Sequence, residues 1–272
     1  MRSSVNLSTS FGAAKPSSVG QIRVGKVTYV KGKRIDPKVQ GFTSIVSLTK
    51  STKYGDISPY CLATPDGRIM ENVWQAAKVY EQVPKSTQKR SRFDPTVIWD
   101  HPAERHAVPD GVGGWTLTPE YMTWRQKLMF APEPVRYPVG FKHRHKCLFA
   151  AGNTPQERLG YIESRKQLYV PMYNSLVRAT DTFKKLQSRH QNGENLLIIE
   201  VDGPHAESLE YYKQSYGVDS NFIKTDTILC TPNNLSIMLE DAKHPFGHGY
   251  CLAMSLRGLT VGSLPAVGAI TR

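Results

Sequence analysis

Residues 196–205 have the sequence LLIIEVDGPH, in which four aliphatic side chains precede a carboxylate and a turn. A short apolar run that ends in Asp-Gly-Pro is typical of a strand buried on both faces. Further short strands are expected at 43–48 (TSIVSL) and near 60–64. We therefore predict a buried strand here that ends in a turn.

Three polar residues, Glu200, Asp202 and His205, stand at the end of this run. The ends of strands commonly present functional groups. A turn built on Asp-Gly-Pro is the more economical explanation of the same residues.

Helical periodicity is the dominant pattern elsewhere in the chain. A helix is predicted from Met70 to Val83, where Pro84 ends it. The other predicted helices cover 119–130, 155–191 with a break near Pro171, 206–216, 234–242 and 250–258. Because strands and helices do not alternate regularly, the pattern predicts a helix-rich, single-domain α+β fold with a few short strands.

The positive charge is concentrated at the N-terminal end of the chain. The net charge is +12, and residues 1–35 contain seven Lys and Arg residues and no acid. We expect a flexible basic arm at 1–35, a globular domain at 36–258 and a C-terminal tail at 259–272. The arm is a solvated tail or a nucleic-acid contact. The contact residues would be Lys26, Lys31, Lys33, Arg34 and, from the body, Arg144.

The cysteine pattern and the hydropathy of the chain indicate which cellular compartment the protein occupies. The four cysteines are widely separated and form no CxxC pair, which favours reduced thiols. No run of 18 apolar residues occurs, so no membrane-spanning helix is expected. We therefore predict a cytoplasmic or other reducing compartment, a virion included.

The predicted helix at 70–83 carries a polar stripe. Glu71, Gln75 and Lys78 recur at the spacing of one helix face. A carboxylate, an amide and an amine side by side can bind a sugar or a nucleotide, and the carboxylate can act on water or on an anomeric carbon. From spacing alone, an ordinary solvated face is favoured.

A glycine-containing loop precedes the last predicted helix. Gly247 and Gly249 permit tight turns and a close approach to a ligand, and His244, Phe246 and His248 add rings and polar groups. The start of the following helix can offer N–H groups to a phosphate. The alternative is a tight turn between two helices.

A basic segment with the sequence KHRHKC spans 142–147. His143, His145 and Cys147 alternate and could begin a zinc site. The sequence supplies no matching half-site, and the intervening Arg144 and lysines favour a phosphate-contacting surface. We predict no metal and no cofactor.

Two of these segments together resemble the NADAR family of YbiA-like N-glycosidases. The first match is Tyr54-Gly55-Asp56-Ile57-Ser58, followed by Asp66-Gly67 and by Glu-x-x-aromatic-Gln-x-x-Lys at 71–78. The second is the loop at 246–249 followed by Leu-Ala-Met-Ser-Leu-Arg at 252–257. Ser58-Pro59-Tyr60 stands where the family has Ser-Asn-Phe, a departure that leaves room for an altered substrate.

The resemblance implies an N-glycosidase that acts on a ribose-linked base or on an ADP-ribose adduct of a nucleotide or nucleic acid. Glu71 would stabilise the oxocarbenium-like centre or activate water, and Asp241 would be a second carboxylate. The implied substrate-binding residues are Tyr54, Asp56, Ser58, Trp74, Gln75, Lys78, His244, Phe246, Gly247, His248 and Gly249.

Two other classes of function stay open. A non-catalytic structural or nucleic-acid-binding protein, such as a virion or nucleoprotein component within a larger assembly, would explain the basic arm and the glycine-containing tail. A metal-dependent hydrolase would use His143, His145 and Cys147.

Overall fold

The computed structural model of the chain describes residues 18–48, 53–86, 88–91, 94–136, 146–154 and 156–268. The strands in this part of the chain are β1 (Ile22–Lys26), β2 (Thr28–Val30), β3 (Lys33–Ile35), β4 (Thr43–Val46), β5 (Lys78–Tyr80), β6 (Ala107–Pro109), β7 (Trp115–Leu117), β8 (Cys147–Ala151), β9 (Arg158–Leu159), β10 (Leu196–Glu200) and β11 (Thr227–Leu229). The α-helices are α1 (Met70–Ala77), α2 (Pro119–Met129), α3 (Tyr161–Ser164), α4 (Val170–Val177), α5 (Asp181–Gln191), α6 (Leu209–Tyr216), α7 (Pro232–Glu240) and α8 (His248–Leu256). The predicted α+β class is confirmed.

The main sheet has the strand order β11-β1-β10-β4. Strands β1, β10 and β4 are parallel, with Ile22 opposite Leu196 and Thr43 opposite Leu196 on the other side, whereas β11 is antiparallel to β1. Every residue of β10 is buried. The prediction of a buried strand at 196–202 is therefore confirmed, and so is the strand predicted at 43–48; the structure adds that β10 is an inner strand.

The two faces of the main sheet bury different cores. Leu196 and Ile198 face the large core that α4, α5, α7 and α8 cover, while Leu197 and Ile199 face a smaller core with Val27. Alternation along the strand also puts Glu200 on the face of Ile198, which is the face that α8 covers. The last residue of β10 is thereby aimed at the start of that helix.

The predicted basic arm at 1–35 is wrong in its boundary. Residues 22–26 form β1, an inner strand between β10 and β11, and residues 28–35 form the β2–β3 hairpin. Apolar and polar residues alternate along 21–34, a pattern typical of an exposed strand or hairpin; the hairpin forms at 28–35, but β10 and β11 cover both edges of β1. The predicted arm up to residue 17 lies outside the described residues.

Two further groups of strands form smaller sheets. Strands β5, β8 and β9 form a three-stranded antiparallel sheet, and β6 and β7 form a hairpin. The strand predicted at 60–64 is wrong, because only one bridge forms, between Ala63 and Ile69. The turn closes at Thr64 and Arg68, and Met70 already begins the helix.

The helix predicted at 70–83 is shorter than expected. It ends at Ala77, and Lys78 has an extended backbone, with φ of −74° and ψ of 126°. Lys78, Val79 and Tyr80 pair instead with β8. Pairing with a distant strand, which no local pattern records, outweighs the helical periodicity here.

The predicted helices at 119–130, 206–216, 234–242 and 250–258 are confirmed with small shifts of their ends. The long helix predicted at 155–191 is divided into α3, a π-helical turn at Arg165–Tyr169, α4 and α5. The Arg165 guanidinium is buried and donates to the carbonyl oxygens of Asp241 (2.7 Å) and His244 (2.5 Å), which lie just beyond the end of α7.

The predicted tail at 259–272 is partly packed. Leu259, Val261 and Leu264 lie against the large core, and the Ser236 hydroxyl donates to the Pro265 carbonyl at 2.6 Å. Within the described part of the chain, none of the helices has the length and apolar character needed to cross a membrane.

Replacing a side chain in the inner strand tests this architecture. Ile198→Ala is expected to lower the free energy of unfolding by about 2–5 kcal/mol, because it empties a buried site between two strands and α8. Ile35→Ala is the matched control: its side chain is 48 % exposed on the hairpin, against 0 % for Ile198. Chemical denaturation of both variants measures the difference, and equal losses would contradict this sheet order.

Candidate functional site

The candidate site lies where three parallel strands end. Lys26, Glu200 and Val46 are the last residues of β1, β10 and β4, and the strand register places these ends at the same edge of the sheet. The carboxyl edge of a parallel sheet is the usual place for a ligand in such folds. Ser47 follows β4 there, and it contacts His248 at the start of α8.

Glu71, Gln75 and Lys78 form a chain of hydrogen bonds, as their spacing suggested. The Gln75 side-chain amide donates to the Glu71 carboxylate at 2.5 Å, and the Lys78 ammonium donates to the Gln75 carbonyl at 3.1 Å. Glu71 is only 5 % exposed and Gln75 4 %. The solvated-face interpretation is therefore wrong for these two residues.

The Lys78 ammonium lies beside an aromatic ring, 5.3 Å from the centre of Trp74. Burial lowers the pKa of Lys78, and the negative charge of Glu71 raises it in part. The Trp74 ring in turn lies 5.0 Å from the ring of Tyr169, which the π-helical turn presents. Lys78 reaches this position from β5 and not from the end of a helix.

Tyr60, Arg136 and Asp202 complete the surroundings of Glu71. Arg136 donates to the Tyr60 hydroxyl at 3.0 Å. Burial raises the pKa of Tyr60, and the charges of Glu71 and, more weakly, Asp202 raise it further. The charges of Glu71 and Asp202 also act on His248, so these groups lie near one another. We call Glu71, Gln75, Lys78, Tyr60, Arg136, Asp202 and His248 the polar cluster.

The Glu200 carboxylate lies against the start of α8. A Cβ atom built on Gly247 would lie 2.3 Å from a Glu200 oxygen, and one on Gly249 would lie 2.6 Å from the other. Neither oxygen has a hydrogen-bond partner at normal geometry, although Glu200 is 1 % exposed. Burial first, and then the charge of Asp202, raise the pKa of Glu200 to about 8; the amides of Gly249 and Tyr250 lower it in part.

This arrangement gives Gly247 and Gly249 a role different from the predicted one. The loop was expected to bring its backbone close to a ligand phosphate. The protein's own carboxylate instead occupies the space in front of these glycines. The positive end of the helix dipole is thus directed at Glu200.

His248 connects Glu200 with β4. Its Nδ1 atom lies 3.3 Å from a Glu200 oxygen, and its Nε2 atom lies 2.7 Å from the Ser47 carbonyl and 3.0 Å from the Ser47 hydroxyl. Burial lowers the pKa of His248. A neutral ring with its proton on Nε2 donates to the Ser47 carbonyl, which leaves Nδ1 facing the Glu200 carboxyl group as an acceptor.

The segment Tyr54-Gly55-Asp56-Ile57-Ser58 lies beside α1, but not all of its side chains reach the polar cluster. The Pro59 carbonyl accepts from the Glu71 amide at 3.0 Å. Ser58 is fully buried. Tyr54 packs against the large core and hydrogen-bonds Arg189, while Asp56 is exposed. The lead therefore positions the backbone in front of Glu71.

Asp241 and His244 belong to a different cluster. The Asp241 carboxylate accepts hydrogen bonds from the hydroxyls of Tyr211 (2.8 Å) and Tyr212 (2.7 Å), from His244 (2.6 Å) and from the Lys243 amide (2.9 Å). Burial raises its pKa, but the hydrogen bonds from His244 and Tyr212 outweigh burial and lower it. None of these contacts involves Glu71, so the structure does not bring the predicted second carboxylate to the first.

Phe246 also differs from its predicted role. Its ring is 5 % exposed and stacks on Tyr250, with the ring centres 5.0 Å apart. It is a core residue and presents no open surface to a base. The exposed and half-exposed side of the polar cluster is formed by Trp74, Lys78, Arg136 and Asp202.

Some of the candidate metal ligands and predicted nucleic-acid contacts lie outside the described residues, and the others are on the surface or half-buried. His143, His145 and Arg144 lie outside the described residues, and within those that are described no three His, Cys, Asp or Glu side chains are grouped to hold a metal. The four cysteines form no disulfide. Lys31, Lys33 and Arg34 are exposed on the β2–β3 hairpin, and Lys26 is half-buried.

Sequence reasoning missed Tyr60 and Arg136 and undervalued Glu200. A carboxylate at the end of an apolar strand was the available signal for Glu200. Arg136 carried no signal, because it reaches Tyr60 through a loop that Asn72 holds from α1: Asn72 donates to the Glu133 carbonyl (2.9 Å) and accepts from the Val135 amide (2.7 Å).

Comparisons with protein-family models, with curated proteins and with solved structures found no match to this chain.

Substitution of a glycine at the start of α8 tests the packing of Glu200. Gly249→Ala is expected to lower the free energy of unfolding by about 1–3 kcal/mol, because the new methyl group overlaps the carboxylate. Gly262→Ala is the control, since a Cβ there meets nothing within 4 Å. Adding Glu200→Ala to Gly249→Ala should recover part of the loss in a double-mutant cycle. Strict additivity would contradict the contact.

The protonation of Glu200 makes a separate prediction. Because its pKa is raised in the folded state, its contribution to stability is complete below the unfolded pKa and is lost as the pH rises towards about 8. Glu200→Gln, which mimics the neutral form, should match wild type near pH 5 and exceed it at pH 8 by on the order of 1 kcal/mol or more. Denaturation midpoints across this range measure the gap. A gap that is constant with pH would show that Glu200 is ionised throughout.

Proposed function

We propose that the chain is an N-glycosidase-like hydrolase that cleaves the bond between a ribose C1′ and a nitrogen, or an ADP-ribose adduct, in a nucleotide or nucleic acid. The observation that carries this proposal is the Glu71–Gln75–Lys78 chain, a buried carboxylate joined through an amide to an ammonium beside an aromatic ring. The resemblance of residues 54–78 and 246–257 to NADAR proteins supports the same chemistry.

The reaction requires a carboxylate at the sugar carbon. As the C1′–N bond breaks, its electron pair stays on the base nitrogen, and positive charge develops on C1′ and the ring oxygen. Glu71 stabilises this charge and takes a proton from the attacking water. The water oxygen forms the new bond to C1′, the leaving nitrogen takes up a proton from solvent, and Glu71 releases to solvent the proton it took from the attacking water. The products are the free base and a ribose with a 1′-hydroxyl.

Gln75 fixes how Glu71 is presented. Its amide nitrogen faces the carboxylate and its carbonyl faces Lys78, so the amide has one favourable orientation. One Glu71 oxygen accepts the hydrogen bond from Gln75, which orients the carboxylate so that its other oxygen can accept a hydrogen bond from water or substrate. Gln75 is accordingly a positioning residue.

Lys78 and Trp74 provide binding groups on the accessible side. Lys78 holds a phosphate or ribose oxygen, and the half-exposed face of Trp74 stacks on a base. Arg136, which is exposed beside Tyr60, adds a second cation for a phosphate group. A nucleotide bound between these residues places its C1′ towards Glu71.

Replacement of Glu71 by its neutral isostere tests the proposal. Glu71→Gln is expected to lower the rate of base release by about 10²-fold or more, because the carboxylate charge is lost while the shape is retained. Chromatography of released base from nucleotides, ribosylated bases and an oligonucleotide with ADP-ribosylated guanine measures the rate. Glu81→Gln, which changes an exposed carboxylate four residues beyond α1, is the control.

The outcomes separate the alternatives. Wild-type release by Glu71→Gln would remove Glu71 from the mechanism. Binding of ADP-ribose by the wild-type protein without release from any of these substrates would indicate a binding module on the same scaffold.

A further inference from the structure

The β2–β3 hairpin extends from the same edge of the sheet as the polar cluster. It follows directly after Lys26, the last residue of β1. Lys31 and Gly32 form its turn with φ of 49° and 77°, which suits a tight two-residue hairpin. Almost all of its residues are exposed, including large apolar and aromatic ones; Tyr29 is 52 % exposed and Val30 54 %.

The hairpin combines cations with an aromatic ring. Tyr29 is the cross-strand partner of Arg34, and Val30 is the partner of Lys33. Directly opposed residues lie on the same face of the ribbon, so a phenol ring and a guanidinium stand side by side on one face. Between residues 28 and 38 the chain has four cations, and its one acid, Asp36, is paired with Arg34 at 2.8 Å.

An open cavity of about 380 Å³ lies at the base of the hairpin. Its lining holds two lysines (Lys26 and Lys38), two aspartates (Asp36 and Asp226) and two threonines (Thr28 and Thr225), so its formal charges balance. Thr225 and the residue after it both have positive φ, at 53° and 51°. A β-branched residue such as Thr225 is strained in the left-handed region of φ/ψ space, and strained backbone is often found at functional sites.

The cavity is close to the polar cluster. The Lys26 ammonium donates to the Val201 carbonyl. Val201 directly precedes Asp202, a member of the cluster.

We propose that the basic hairpin surface, formed by Tyr29, Lys31, Lys33 and Arg34, binds single-stranded nucleic acid. Cations alone would fit any polyanion, but the exposed Tyr29 ring beside Arg34 fits an unpaired base, which can stack there while the flanking phosphates meet Lys31 in the turn and Lys33 on the other face of the ribbon. The binding itself is independent of hydrolysis. Only the inference that the bound strand is the substrate of the polar cluster rests on the proposed function.

Charge reversal on the hairpin tests the binding. We expect the full chain to bind labelled mixed-sequence 20-nucleotide single strands of DNA or RNA more tightly than the same sequence as duplex, measured by fluorescence anisotropy. Lys31→Glu/Lys33→Glu should weaken binding at least tenfold. It should also reduce the slope of log K against log salt by about 0.7 per lost phosphate contact. Lys184→Glu/Lys185→Glu, the same charge change on exposed residues of α5, should have little effect.

Replacing Tyr29 distinguishes nucleic acid from other polyanions. Tyr29→Ala should weaken single-strand binding by about fivefold or more, since stacking on one base contributes about 1–3 kcal/mol, while Tyr29→Phe should bind as wild type does. Two outcomes would overturn the proposal in favour of general polyanion binding. One is an equal loss of binding in the two double variants. The other is heparin displacing the single strand equally well from wild type and from Tyr29→Ala. All titrations are repeated with Glu71→Gln, which should bind normally, so failed hydrolysis and failed binding are seen separately.

Discussion

The Glu200 carboxylate stands at the end of the inner strand, out of contact with water, and the arrangement of the site depends on how it is accommodated. Ionising such a group away from solvent costs several kcal/mol unless other groups compensate. The glycines at 247 and 249 let the first turn of α8 close over it, the positive end of the helix dipole points at it, and His248 Nδ1 lies 3.3 Å from one of its oxygens. These contacts fix α8 to the sheet edge and, through Ser47, fix the end of β4 to the same point.

Two buried carboxylates thus lie near one edge of the sheet in contrasting surroundings. Glu71 accepts a hydrogen bond from an amide that is itself bound to an ammonium. Glu200 is packed against the two glycines, and burial together with the charge of Asp202 favours its neutral form. In the proposed reaction only Glu71 touches the substrate, whereas Glu200 holds the surrounding elements in place.

Much of the fold could be predicted from local pattern, because apolar runs and helical periodicity are local signals. The inner strand at 196–200 and the helices at 119–129, 232–240 and 248–256 follow from such signals. The placement of β1 did not, since only its pairing with β10 and β11 buries it. Lys78 was assigned to a helix because its pairing with β8 depends on residues about 70 positions away. In the site, the Glu71–Gln75–Lys78 stripe was found by spacing, but its burial and the separation of Asp241 from it are tertiary facts.

The pairing of β1 with β10 has a consequence for how the chain comes into being. The backbone at Gln21 hydrogen-bonds Asn195, 174 positions later. During synthesis β1 must leave the ribosome and persist without this partner until β10, 174 positions later, has been made. Contacts between such distant segments slow folding, and an apolar strand that waits is prone to aggregation. The cation-rich hairpin that follows β1 keeps this early segment charged, and a shortened chain that ends before β10 cannot close the main sheet at all.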